Sequence, residues 1–133
     1  MPRERLIQAL VEKKQFTEAF DEYEKLAKIY GVFEKEKADI EAARQEYLTL
    51  GEEGFWKKKL EIDLKNLSNG QGSYYNIAVN YSMLRDNDRA FLLLDKSVKA
   101  RELQLDELKV DPRMDPIRSD PRFEEYLRRV NLE

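Results

Sequence analysis

Apolar residues recur every three or four positions along almost the whole chain, in runs joined by short polar links. That period puts them on one face of a helix, whereas a strand would need a period of two. Leu6, Ile7, Leu10 and Val11 predict an amphipathic helix over about residues 3–13. Phe16, Ala19, Phe20, Tyr23, Leu26, Ala27 and Tyr30 predict a second, with Thr17 as N-cap and Gly31 as its stop. The link Glu12-Lys13-Lys14-Gln15 is short enough to make the two antiparallel neighbours, an αα-hairpin.

Two more pairs follow. Phe33, Ile40, Ala43, Tyr47 and Leu50 share a face of a longer helix that Gly51 ends, and Trp56, Leu60, Leu64 and Leu67 form the stripe of the next. The run Ser68-Asn69-Gly70-Gln71-Gly72-Ser73 is the clearest loop. Tyr74, Ile77, Ala78 and Tyr81 then mark a helix over about residues 73–84. Asn87 or Asp88 caps another, carrying Ala90, Phe91, Leu94, Ser97 and Val98. In the tail, Asp-Pro occurs three times, at 111, 115 and 120, and Asp before Pro is a helix-start signal. The first two starts have room for single turns only. The third opens a terminal helix, Arg122 to Val130, after a further short turn between Glu102 and Leu108.

What the chain lacks narrows its chemistry. With no Cys and no His among 133 residues, it has no thiolate ligand, no imidazole base and no Ser-His-Asp or Cys-His arrangement. A net charge of −3 gives no excess of positive charge to neutralise phosphates, so nucleic acid is not the expected partner. No apolar run approaches the ~20 residues of a membrane span. The tail acids Asp111, Asp115 and Asp120 are interleaved with Pro and Arg and lack the central Gly of a calcium loop. They read as caps, so no metal and no cofactor is expected. Glu52/Glu53 and Glu124/Glu125 have no catalytic context, and adjacent acids on a helix point apart. Lys57-Lys58-Lys59 reads as a solvated face, and Asn69-Gly70-Gln71-Gly72 lacks the ending of a phosphate loop.

Three helix pairs in about 100 residues suggest an internal repeat. Ala19-Phe20 and Ala90-Phe91 lie 71 residues apart, about twice the ~34-residue tetratricopeptide period. Tyr74, Ile77, Ala78 and Tyr81, followed by Ala90, Leu94 and Ser97, resemble a tetratricopeptide repeat closely. The first segment matches less well: Leu6, Leu10, Phe16, Ala19 and Tyr23 fit, but Ile7 stands where the repeat has a small residue. In the middle segment, aligning Gly51 with the inter-helix glycine keeps the apolar stripe continuous but puts Trp56 at the small position of the second helix. The run from Leu108 to Phe123 and the stretch Gly51-Glu52-Glu53-Gly54-Phe55-Trp56 resemble the end of tetratricopeptide arrays in bacterial multidomain regulators with winged-helix, kinase or cyclase domains.

The resemblance implies an all-α fold, a right-handed α-α superhelix of about three helical hairpins with a C-terminal capping helix. The expected single domain, 1–133, divides into repeat 1 (3–31), divergent repeat 2 (32–68), repeat 3 (73–101) and a cap (102–133). It also implies a non-enzymatic protein–protein interaction module that binds a partner's peptide or helix in a concave groove. The first-helix faces put Gln8, Val11 and Glu12, then Glu41, Gln45 and Leu48, then Tyr75, Val79, Ser82 and Met83 along that groove. Apolar side chains among acids and amides suit a peptide with an apolar anchor and a basic residue. The alternative is self-association, as a homodimer or a sensor module of a bacterial regulatory protein. The expected compartment is the cytoplasm, or the periplasm if the chain belongs to a membrane-anchored regulator.

Overall fold

The computed structural model describes residues 7–11 and 13–130, so expectations resting on Leu6 and Glu12 lie outside it. Every regular element among the described residues is helical. Helix α1 covers residues 7–11, α2 Phe16–Ile29, α3 Phe33–Ser68, α4 Tyr74–Met83, α5 Asn87–Ala100, α6 Asp115–Arg118 and α7 Pro121–Arg129. Two short 3-10 stretches, Leu103–Glu107 and Pro112–Met114, separate α5 from α6. The chain forms two compact units, Met1–Lys58 and Lys59–Glu133. No described helix is long and apolar enough to cross a membrane.

In the first unit, α2 ends as Gly31 allows. Its φ of 71° lets Gly31 N–H reach Lys28 O and Val32 N–H reach Ala27 O, which satisfies carbonyls the last turn leaves open. The same pair of bonds closes other helix ends without glycine, at Lys14 (φ 63°), Arg85 (φ 61°) and Arg101 (φ 54°). The start of α2 differs from expectation. The cap position is Gln15, which makes no side-chain cap bond, and Thr17 lies inside the first turn.

Helix α3 is two helical arms joined at Gly51, whose φ of 70° and ψ of −147° are not helical. The expected break is there. The small residue of the second arm, however, is Gly54 and not Trp56. A Cβ built on Gly54 would lie 2.3 Å from Glu46 O, so the arms meet only because it has none. Trp56 is instead a core side chain, 3% exposed. The core is aromatic. Phe16 stacks on Tyr47 with ring centroids 4.7 Å apart and meets Phe55 edge-on at 4.8 Å, Phe20 lies 5.6 Å from Phe55, and Trp56 5.0 Å. Such pairs add about 0.5–1.5 kcal/mol each beyond the area they bury. Leu50 and Leu64, expected inward, are 54% and 42% exposed.

In the second unit, α4 and α5 pack along their length, with Ile77, Ala78, Ala90 and Leu94 fully buried. Ser73 Oγ accepts from Asn76 N–H at the start of α4. The cap of α5 is Asp86, which accepts from Arg89 N–H, rather than Asn87 or Asp88. In the tail, Asp111 and Asp120 cap as expected, each accepting the amide two residues on. Asp115 does not cap. It is the first residue of α6 and pairs with Arg118 at 3.0 Å. Leu108, Met114, Ile117 and Phe123 carry the tail's apolar weight, all at 1% exposure or less.

Candidate interaction surface

The ten residues expected along a groove fall into three groups. Glu41, Gln45 and Leu48 are exposed on the first arm of α3. Their spacing, i, i+4 and i+7, sets them on one helical stripe. Leu48 is 66% exposed, and Gln45 Nε2 donates to Glu41 Oε1 at 3.3 Å. Arg44, one residue off the stripe, pairs with Glu24 at 3.0 Å, with Glu41 of the stripe at 3.4 Å and with Asp21 at 3.5 Å, and lies over the Phe20 ring. The stripe thus ends in an apolar side chain, with the Gln45 amide beside it and the Arg44-paired Glu41 acid a turn further back. Glu52, past the bend, pairs with Lys14 at 3.7 Å.

The second group is Gln8, half-buried, and Val11, 8% exposed, with Glu12 outside the described residues. Val11 is a core residue and cannot line a groove.

The third group overturns the expectation for α4. Tyr75, Val79 and Ser82 are at most 1% exposed and Met83 is half-buried. The face is not open because the tail lies on it. Tyr75 O–H donates to Asp111 Oδ2 at 2.8 Å, Ser82 O–H donates to Arg113 O at 2.9 Å, and Gln104 Nε2 donates to Asn76 Oδ1 at 2.8 Å. Arg113 closes the arrangement, its Nε and Nη2 reaching the two oxygens of Asp111 at 3.0 and 2.8 Å.

At the start of α4 the tail supplies a second clasp. The Glu102 carboxylate accepts from Tyr74 N–H and Tyr75 N–H, both at 2.9 Å, and from Ser97 O–H at 2.7 Å. An acid here satisfies amides that a helix N-terminus leaves unpaired and meets its positive dipole end.

Charge follows this geometry. Burial, and then the negative charge and hydrogen bond of Asp111, push the Tyr75 phenol far above its ordinary value. Burial also works to raise Asp111, but the Arg113 hydrogen bond and charge, with the Tyr75 bond, outweigh it and hold the carboxyl below the usual range. On the surface, Arg122 bonds bring Asp120 down to about 2. Asp95 is lowered by its bonds to Lys99 and Arg129.

Asn80, on α4, was not singled out from the sequence. Fully buried, it donates to Asp63 Oδ2 at 2.7 Å, which Lys59 also pairs at 2.9 Å, while its Oδ1 has no hydrogen-bond partner. A polar residue three after Ile77 was the only available signal. No group of three or more acidic side chains that could hold a metal ion occurs among the described residues.

By fold the chain is all-α, and the stripe on α3 is one of the surfaces on which a large apolar side chain stays exposed. No protein-family model matches it, and no curated protein and no solved structure gives a match.

Proposed function

We propose that this chain is a non-enzymatic protein–protein interaction module of tetratricopeptide type, and that it captures a partner's peptide or helix on the first arm of α3. The observation that carries this is Leu48, 66% exposed, on one stripe with Glu41 and Gln45. An exposed apolar anchor with an amide and an acid along the same stripe is the pattern of a small recognition site. Its occupant has the complementary chemistry, an apolar side chain flanked by Lys or Arg.

The repeat itself is supported from inside the molecule. Ala19-Phe20, Gly54-Phe55 and Ala90-Phe91 lie 35 and 36 residues apart, and all six residues are buried. A small residue followed by an inward aromatic, at nearly constant period, is what stacked helix pairs need.

The experiment is a fluorescence-polarisation screen of helical peptides bearing one large apolar residue and one to three basic ones. Binding is expected to weaken at least about tenfold in Leu48→Asp and in Glu41→Lys, and to be unchanged in Leu103→Asp, which alters an even more exposed leucine elsewhere. Equal weakening in all three, or no binding by any peptide, defeats the reading.

A further inference from the structure

The bend in α3 rests on two glycines that do different work. Gly51 supplies the turn, at φ 70° and ψ −147°, a region that residues with a Cβ scarcely enter. Gly54 supplies the approach, since an added Cβ would sit 2.3 Å from Glu46 O and 2.8 Å from Leu50 Cβ. The backbone is helical on both sides of Gly51, so one residue taking helical angles makes α3 continuous. In a straight helix, Glu46 and Gly54 stand about 12 Å apart along the axis, and a Cβ at 54 meets nothing of residue 46.

Opening costs the chain its own aromatic core. Tyr47 and Phe55, four residues before and after Gly51, both rest on the Phe16 ring. A straight α3 carries one of them away. The side chain that fits the vacated place is the same residue of a second copy. Leu50, beside the bend and 54% exposed, gives up little when the bend opens.

We propose that α3 is a hinge: it opens at Gly51 into one continuous helix, and two copies exchange arms, each placing its Phe55 against the other's Phe16. Exchange of identical elements across a short hinge is a low-cost route to a symmetric dimer. Both glycines bias the chain toward the bent monomer, and either one replaced by alanine tips it toward the exchanged form. The inference does not depend on peptide capture at Leu48.

The test uses the full chain, as wild type, Gly51→Ala and Gly54→Ala, by sedimentation over a range of concentrations. Because the chain has no cysteine, Lys37→Cys and Lys57→Cys admit a pair of spin labels, and pulsed electron resonance reads their separation. Twenty residues of straight helix span about 30 Å, and the bent form is shorter. Both alanine variants are expected to keep their helical signal, to raise the dimer association constant at least about tenfold, and to show the long distance in the dimer. Variants that stay monomeric overturn the proposal. So do variants that dimerise yet, with labelled chain diluted in excess unlabelled chain, show only the short distance, and variants that lose helix without dimerising.

Discussion

The two units solve the same packing problem with different materials. The first has its small–aromatic pairs, Ala19-Phe20 and Gly54-Phe55, closed by rings: Phe16, Phe20, Tyr47, Phe55 and Trp56 touch one another. The second has Ala90-Phe91 in a similar setting, but its α4 face is closed by directed bonds to distant residues, Tyr75 to Asp111, Ser82 to Arg113 and Tyr74 and Tyr75 to Glu102. Rings tolerate small shifts and give bulk stability. Hydrogen-bonded ion pairs demand one geometry, and breaking one side leaves the other stranded. The first unit is therefore adaptable and keeps an exposed stripe, while the second is locked.

The sharpest way to break this comparison is to remove a ring. Phe55→Ala is expected to cost about 3–5 kcal/mol. Trp56, the single tryptophan, stands 5.0 Å from that ring, so its fluorescence in a urea titration reads the loss directly. Next is the lock. Asp111→Asn removes the charge that pairs Arg113 and leaves one acceptor oxygen where Tyr75 and Arg113 now share two, at about 3 kcal/mol, seen by helical circular dichroism. In that variant the Trp56 midpoint is expected to stay in place while the circular-dichroism midpoint falls. Equal movement of both would show that the units unfold as one.

Acid should act on the lock as well. A carboxyl lowered in the folded state contributes stability that is complete above its unfolded value, near 4, and is lost as pH falls toward the folded value. Asp111 is such a group, so the melting temperature is expected to hold from pH 7 to about 5 and to drop below about 4. Asp111→Asn should flatten that drop, and an unchanged slope would assign it elsewhere. The smallest effect sharpens the comparison at a helix end. Arg85→Gly relieves a left-handed arginine at φ 61° and should raise the melting temperature slightly, by about 1 kcal/mol in stability.

Much of the framework is readable in the residues. Gly31, Gly51 and Gly70 mark ends because each needs a positive φ, and Ser73, Asp111 and Asp120 mark starts because their oxygens accept nearby amides. Capping is local, so sequence shows it. What covers a face is not local. Tyr75, Val79 and Ser82 do share a stripe, but their partners lie some 30 residues away in the tail, and helical period says nothing of that distance. Gly54 was missed for a related reason. An apolar stripe weighs side chains, while the closest approach of two helices is set by the absence of one. The recurrence of Gly54-Phe55 between Ala19-Phe20 and Ala90-Phe91 was the signal that would have found it. Glu41, Gln45 and Leu48 stay exposed because, among the described residues, no distant segment lies over them.

The tail's place on α4 also sets a timetable during synthesis. Ala100, the end of α5, leaves the ribosome 27 residues before Leu127, the last buried residue of α7. At 5–20 residues per second that is an interval of about 1–5 s, whereas a helix forms in about a microsecond. For those seconds α4 and α5 exist as a nascent pair with an uncovered apolar face, the kind of surface that chaperones hold. A ribosome that stalls once α5 has emerged and before the tail has would leave that pair uncovered for as long as it waits.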